Sequence, residues 1–393
     1  MLGGDIIISE GDNMLAKIII KNFMSFKNET VIDFTKTNYK FLENNVSDEG
    51  ILKGIAFYGA NASGKSNVLY AIRFLLDKLF RETENPAALM KCLFSDEPEF
   101  SLQYFFVIEN KEIRYLFEHD ISKGITSEKL YVDEELLLER MGSTAKSYIT
   151  EKKSYTDLDN EILFLRTVYF NTGFSNNSVL RKWFEYMQNL IYINPFIQGV
   201  ISYSKQDMRI NKYLKDNGVE EINQFFRDFN FEYTLDYISD IKVKETAKII
   251  DSDDVGSILF KRKGIYVPIP YFFESLGNKN LLNLLPSFLY IVRNGGMLLI
   301  DEFSSGFHNE LERLLVNYFF KNATNSQIFF VSHSTNLLST SILRPDQIYT
   351  VEFNGEQGSQ VKRVSDEQPR LAQNLEKMYL SGVFGGLPNY EDK

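Results

Sequence analysis

The sequence predicts an α/β fold in which a parallel core sheet is flanked by antiparallel sheet and interrupted by a helical insertion. Three observations carry this. A glycine-rich loop, Gly59-Ala60-Asn61-Ala62-Ser63-Gly64-Lys65-Ser66, lies between an apolar run and an amphipathic stretch. From residue 280 onward, apolar runs of strand length alternate with helical patterns. Between these two regions, residues 100–132 read as paired strands and residues 150–250 as helices.

Taken in chain order, residues 1–13 carry Asp5, Glu10 and Asp12 and no basic segment, which argues against a signal peptide and sets the expected start of the fold at Met14. Residues 15–20 and 30–34 read as two strands around a turn, and residues 35–50 as loop. Residues 55–58 form an apolar strand that leads into the glycine loop. The helix that follows, residues 67–80, places Val68, Ile72, Leu75 and Leu79 on one face. After a polar patch at 81–86, strands at 100–108 and 113–119 enclose the tip Glu109-Asn110-Lys111, and 128–132 reads as a third strand.

The character changes near residue 150. Val179, Leu180, Trp183, Met187, Leu190 and Ile191 recur at helical spacing, as do Ile222, Phe225, Phe226 and Phe229, and this aromatic stripe reads as core. The expected division is therefore an N-terminal lobe at 14–150, a helical insertion or lid at 151–256 and a C-terminal lobe at 257–393. Residues 257–270 read as a hairpin with Lys261-Arg262-Lys263-Gly264 at its tip. A solvated turn is the first reading of that tip and contact with a phosphate backbone the second. Residues 281–292 are apolar all round, as in a buried helix. Strands at 297–300, 327–331 and 347–353 then alternate with helices at 310–320 and 335–340.

Bulk composition narrows the functional classes. The chain has 393 residues, 44% hydrophobic and 24% charged, as in water-soluble globular proteins. Its net charge of −10 disfavours indiscriminate nucleic-acid binding, although a local basic groove stays compatible with it. The single cysteine, Cys92, excludes an internal disulfide and a cysteine metal cluster and fits a cytoplasmic protein. His119, His308 and His333 have no H-x-x-x-H spacing that would suit a histidine metal site. No apolar run approaches the ~18 residues a membrane span needs.

The glycine loop fits G-x-x-x-x-G-K-[ST] in the strand–loop–helix context that the motif requires. Glycines at 59 and 64 let the backbone curl so that N–H groups along Asn61, Ala62, Ser63 and Asn67 face phosphate oxygens, and the helix N-terminus adds its positive dipole end. Lys65 reaches the β and γ phosphates, and the Ser66 hydroxyl is a Mg²⁺ ligand. The strand at 297–300 ends in Asp301-Glu302. A buried parallel strand delivers such carboxylates to the edge of the sheet where the loop lies. Asp301 would complete the Mg²⁺ shell, and Glu302 would orient or deprotonate the attacking water. The next strand ends in His333, placed to sense the γ-phosphate or steady that water.

Lys65 and Asp301 are 301 − 65 = 236 residues apart, far more than a compact phosphate-loop kinase, GTPase or ring helicase needs, and no Asn-Lys-x-Asp run for guanine is present. Just before the acidic strand, Phe273-Glu274-Ser275-Leu276-Gly277-Asn278-Lys279 opens the buried helix. The Ser275 hydroxyl and the Gly277 amide at that N-terminus read locally as either a plain N-cap or an anion site.

With these motifs in order, residues 14–388 resemble the ABC-type ATPase heads of the RecF, SMC and OLD (overcoming lysogenization defect) kind, and in particular stand-alone bacterial AAA-family ATP-binding proteins of anti-phage defence loci. The matching segments begin with Ile18-Ile19-Ile20-Lys21-Asn22-Phe23-Met24-Ser25-Phe26 and the phosphate loop through Asn67. They continue with Glu274–Lys279, Leu299-Ile300-Asp301-Glu302-Phe303, Val331-Ser332-His333-Ser334 and the tail Tyr379–Pro388. The resemblance implies ATP and Mg²⁺ as cofactors and ATP-driven pairing of heads into a homodimer or higher oligomer. It also implies that the loop 304–308 contacts the opposite subunit. A separate effector protein, such as a nuclease, is the expected partner, and nucleic acid stays open as a further one.

Three departures qualify the match. The signature reads Ser-Leu-Gly-Asn rather than Ser-Gly-Gly. No heptad run is long enough for an SMC coiled coil. The family's glutamine after the first helix has only Gln103 as a loose counterpart. OLD proteins carry a C-terminal TOPRIM nuclease, for which the 393 − 333 = 60 residues after His333 are too few. Asp251-Ser252-Asp253 mimics its Asp-x-Asp element without the paired glutamate. Two rival readings stand beside an effector-controlling ATPase: a RecF-like DNA-repair ATPase, and a scaffold in which ATP only joins subunits.

Overall fold

The structure, a computed structural model, describes residues 11–81, 87–195, 199–238, 257–304 and 306–388. Asp251-Ser252-Asp253, Ser305, the first ten residues and most of the polar patch at 81–86 lie outside them.

Strands β1 (Met14–Lys21), β2 (Thr30–Asp33) and β3 (Gly54–Tyr58) precede helix α1 (Lys65–Phe80). A meander follows: β4 (Glu99–Ile108), β5 (Lys111–Asp120), β6 (Gly124–Val132), β7 (Glu135–Met141), β8 (Thr144–Ser147) and β9 (Lys153–Tyr155). Next come α2 (Phe164–Thr172), α3 (Ser178–Gln188), β10 (Leu190–Asn194), β11 (Gly199–Ser202), α4 (Ile210–Asn217) and α5 (Glu220–Asp228). The chain continues with β12 (Tyr233–Ile238), β13 (Ser257–Arg262) and β14 (Ile269–Pro270), then α6 (Leu276–Asn294), β15 (Gly296–Ile300), α7 (Asn309–Asn322) and β16 (Ser326–Val331). It closes with β17 (Ile348–Phe353), β18 (Ser359–Arg363) and α8 (Leu375–Leu380).

Among the described residues these strands make a central sheet in the order β11-β10-β15-β16-β3-β17-β18, an antiparallel sheet in the order β2-β1-β4-β5-β6-β7-β8-β9, and a small sheet of β12, β13 and β14. The five inner strands of the central sheet, β10 to β17, are parallel, and β11 and β18 close its edges antiparallel. Strands β3, β15 and β16 are buried throughout. Their alternate residues enter two cores. Phe57, Leu299 and Phe329 pack on the α1 side, while Ala56, Leu298 and Phe330 pack on the side of α6 and α7. Two buried faces explain why these strands read as continuous apolar runs rather than alternating ones. Helix α1 lies between the two sheets, where Tyr104 of β4 donates to the Ala71 carbonyl at 2.7 Å.

Two readings from sequence change. Residues 151–256 contribute α2–α5 and also β10 and β11, which pair into the central sheet through β15. Five-residue Leu-Ile-Tyr-Ile-Asn follows directly on the apolar stripe of α3, so its helical periodicity masks the switch to a strand. The basic tip at 261–263 is partly strand, and two of its three charges are paired. Lys261 meets Asp236 at 2.8 Å, and Arg262 donates to Glu274 at 2.8 and 3.0 Å.

The outer sheet holds a buried ion pair that orders the chain between its last strand and α2. Glu128 accepts from the Phe164 and Leu165 amides at 2.6 and 3.2 Å and from the Tyr115 hydroxyl at 2.8 Å. Arg140, fully buried 3.4 Å from Glu128, donates to the carbonyls of Gly142, Asp159 and Ile162. Replacing Arg140 with methionine strands the Glu128 carboxylate, and chemical denaturation should report a loss of about 3–5 kcal/mol. A loss below 1 kcal/mol would show that the pair does not hold this segment.

Candidate nucleotide site

The parallel strands end on one edge of the sheet, and their registers set the site. Ile300 pairs with Ile193 and Phe330, and Val331 pairs with Phe57, so Asn194, Asp301, Ser332 and Gly59 leave the sheet at nearly the same level. This is where ligands of open parallel sheets bind, because the strand ends splay and the following helices start there. A cleft of 730 Å³ opens at this edge, lined by residues 61–67 with Asn194, Asp301, Glu302 and His333.

Glycine is required at two points of the loop. Gly59 has φ +152°, and a Cβ there would meet the Val351 carbonyl oxygen at 2.2 Å. Gly64 caps α1 at φ +104°, with Ser359 Oγ 2.2 Å and Ser25 Oγ 2.6 Å from where a Cβ would stand. Those hydroxyls brace the loop from outside. Ser359 Oγ donates to the Ser63 carbonyl at 2.6 Å and lies 2.7 Å from Ser25 Oγ, which accepts from Asn67 Nδ2 at 2.7 Å. The segment 22–26, quoted above for its resemblance, thus supports the phosphate loop, and so does β18.

Lys65 is 5% exposed, and its Nζ donates to the carbonyls of Gly59 and Ala60 at 3.0 and 2.7 Å. Burial pulls its ammonium below the ordinary value, against the opposing pull of Glu302 and Asp301. Ser66 Oγ donates to Asp301 Oδ1 at 2.8 Å, and the Tyr192 hydroxyl donates to Oδ2 at 3.2 Å. Burial raises the Asp301 carboxyl, which these two hydrogen bonds partly offset, and pushes the Tyr192 phenol up to about 12. Glu302 stands at φ +63°, in the left-handed region, the second residue past β15. Its Oε1 lies 3.6 Å from His333 Nε2, and the imidazole holds this carboxyl below its usual range. The His333 amide is held by Ser304 Oγ at 3.2 Å.

Among the described residues no three His, Cys, Asp or Glu side chains form a metal-holding group. The donor set at Ser66 and Asp301 instead fits Mg²⁺ carried on a polyphosphate: one hydroxyl and one carboxylate, with the other positions filled by phosphate oxygens and water. Backbone amides of the loop and the start of α1 present donors to the same space.

Every residue expected at the phosphates and acidic strand lines this cleft except Gly59, which shapes the loop from behind. Ser275 and Gly277 do not line it. They sit at the start of α6, where Ser275 Oγ accepts from the Asn278 amide at 3.2 Å. Gln103, the loose glutamine candidate, pairs with Ile19 and Leu116 in the outer sheet and is absent from the cleft. Asn194 lines it instead, and Tyr192 anchors Asp301; neither was singled out from sequence. The signal available was only the polar end of an apolar run, hidden by the helical reading of that region.

The site can be compared with known proteins. Residues 55–339 match the family described as "AAA domain, putative AbiEii toxin, Type IV TA system". The chain belongs to this AAA-domain family. The match spans the phosphate loop, the Ser275–Gly277 turn, the acidic strand and His333. A curated relative from Helicobacter pylori, named "ATP/GTP phosphatase", is 23% identical over 353 residues, 83% of this chain and 86% of that protein. Two solved structures share the fold. One is a SmcHead bound to the C-winged helix domain of ScpA, with TM-score 0.51, 14% identity, 88% of this chain and 96% of that chain. The other is a Pyrococcus furiosus Smc head with an extended coiled coil bound to the C-terminal domain of ScpA, with TM-score 0.51, 13% identity, 94% of this chain and 99% of that chain. This AAA-domain protein therefore shares the fold of an SMC head domain. No helix among its described residues is long and apolar enough to cross a membrane.

Replacing Gly59 with alanine forces either the loop or the Val351 backbone to move. Urea denaturation should show a loss of about 2 kcal/mol or more, whereas an unchanged midpoint would show that the loop tolerates a side chain there.

Proposed function

We propose that this chain binds ATP with Mg²⁺ and hydrolyses it, that two copies close around the nucleotides, and that the closed assembly controls a separate effector protein in anti-phage defence in the cytoplasm. The observation that carries hydrolysis is the convergence of two distant segments on one cleft. Ser66 and Asp301 touch at 2.8 Å, while Glu302 and His333 face each other at 3.6 Å. The relative named ATP/GTP phosphatase supports the same reaction class.

In this reading the loop amides and Lys65 hold the β and γ phosphates, and Ser66 and Asp301 hold Mg²⁺, which supplies charge neutralisation on the phosphoryl oxygens when bound. Glu302 orients the attacking water and accepts its proton, and its left-handed backbone turns the carboxylate out of the strand toward that water. His333 keeps Glu302 ionised and stays within reach of the γ-phosphate.

Pairing of copies is supported by the position of Ser275 and Gly277, outside the cleft of their own chain. Beside them Phe272, Phe273 and Leu276 are 80%, 75% and 56% exposed, an apolar surface suited to a second subunit. The effector and the defence setting rest on the resemblance and on the family description, which names a toxin–antitoxin system.

Glu302→Gln should retain ATP, lose hydrolysis by about 10²-fold or more, and accumulate as a dimer in light scattering with ATP. Wild-type protein that never turns over ATP, with or without DNA or partner proteins, would remove the enzymatic reading. In wild type the acid limb of turnover reports Glu302. His333 lowers that carboxyl's pKa, so His333→Asn should move the acid limb to higher pH; a limb that stays in place or moves lower would separate His333 from Glu302.

A further inference from the structure

Asp301 is gripped from two sides, and one grip comes from outside the phosphate loop. Ser66 holds Oδ1, and Oδ2 accepts from the Tyr192 hydroxyl at 3.2 Å. Tyr192 lies on β10, beside β15 and opposite Leu299, two residues before Asp301, which follows the end of β15. Its ring is held in turn. The Arg73 guanidinium lies over both rings, its Cζ 4.7 Å from the Tyr192 centroid and 4.7 Å from that of Tyr70. Arg73 Nε donates to Asp77 Oδ2 at 3.1 Å, and Asp77 Oδ1 accepts from the Tyr203 hydroxyl at 2.5 Å. The Tyr203 amide donates to the Leu190 carbonyl at 3.1 Å, at the opposite end of β10. The series thus starts and ends on one strand and crosses α1 between.

We infer that Tyr192 is a positioning residue for the carboxylate that receives Mg²⁺: it fixes the direction of Asp301 through Oδ2, with Arg73 clamping its ring. This rests on the nucleotide reading above. A carboxylate on a two-residue turn after a strand has a free torsion about its last bond. One hydrogen bond leaves that torsion soft, whereas donors on both oxygens define the plane. A phenol is a donor at neutral pH and has no acidic competitor role there. Outer partners of this kind tune metal affinity without touching the metal.

The test uses the full chain, Mn²⁺ as the metal probe and AMP-PNP as the nucleotide, with bound Mn²⁺ read by electron paramagnetic resonance. Tyr192→Phe keeps the ring and removes the hydroxyl. It should weaken Mn²⁺ binding to the AMP-PNP complex about tenfold, leaving AMP-PNP affinity in EDTA and the melting temperature as in wild type. Arg73→Lys keeps the charge beside Asp77 but loses the planar stack, and should weaken Mn²⁺ two- to threefold, roughly. In an Asp301→Ala background, Tyr192→Phe should add nothing, because it acts through Asp301. Mn²⁺ affinity unchanged in Tyr192→Phe overturns the inference. So does a parallel fall in metal-free AMP-PNP affinity and melting temperature, or an additive effect on top of Asp301→Ala. Wild type that binds AMP-PNP but no Mn²⁺, or neither, overturns the nucleotide reading itself and this inference with it.

Discussion

The hydrogen bond from Ser66 to Asp301 joins residues 235 apart in sequence, and the geometry of the cleft depends on it. Ser66 is fixed by the start of α1 and Asp301 by the end of β15, so the bond reports the relation of α1 to the parallel sheet. Packing sets that relation, and the bond fixes it at the cleft. Helix α1 has one face against the central sheet and another against β4, and the buried residues of both belong to one continuous core. A 2.8 Å contact between two short side chains tolerates little error in that packing.

The same economy of position governs the rest of the edge. Four parallel strands stop within two residues of one another, and each contributes a polar group where its neighbours' ladder ends. Ladder bonds continue for one residue past the strands, from Asp301 N to Ile193 O at 2.8 Å and from Ser332 N to Phe57 O at 3.2 Å. Asp301 is therefore anchored by backbone as well as side chain. Glu302, one residue later, has left the ladder at φ +63°. The adjacent carboxylates consequently differ in character: burial raises the first, and His333 lowers the second.

The sequence made the central strands and the motif residues legible because both depend on local pattern. Fully apolar runs at 55–58, 297–300 and 327–331 are what two-sided burial demands, and the glycine loop is specified by backbone conformation. What stayed hidden depended on partners far along the chain. Gln327 looks like a polar flaw at the start of an apolar strand. It is buried, and its amide bonds the Leu15 amide and carbonyl, the Leu52 carbonyl and the Tyr186 hydroxyl. Arg262 reads as a solvated charge until Glu274 is seen beneath it. Tyr192 and Asn194 sit in a stretch whose spacing favours a helix, and only the pairing of β10 with β15 turns them toward the cleft. Strands β7 to β9 are short and carry charged residues at exposed positions, so they gave no periodic signal.

One close approach has a mechanical meaning. A Cβ on Gly277 would stand 2.4 Å from the Gly306 carbonyl oxygen, so the turn that opens α6 and the loop that leaves β15 meet backbone to backbone, with no side chain between them to absorb a shift. Glu274, just before that turn, is in turn locked by Arg262 and Asn278. The small sheet of β12 to β14 is consequently tied to the head of α6, and the head of α6 in turn abuts Gly306. The exposed surface around Phe272 and Phe273 therefore lies next to a backbone contact with the loop that carries the carboxylates at 301 and 302.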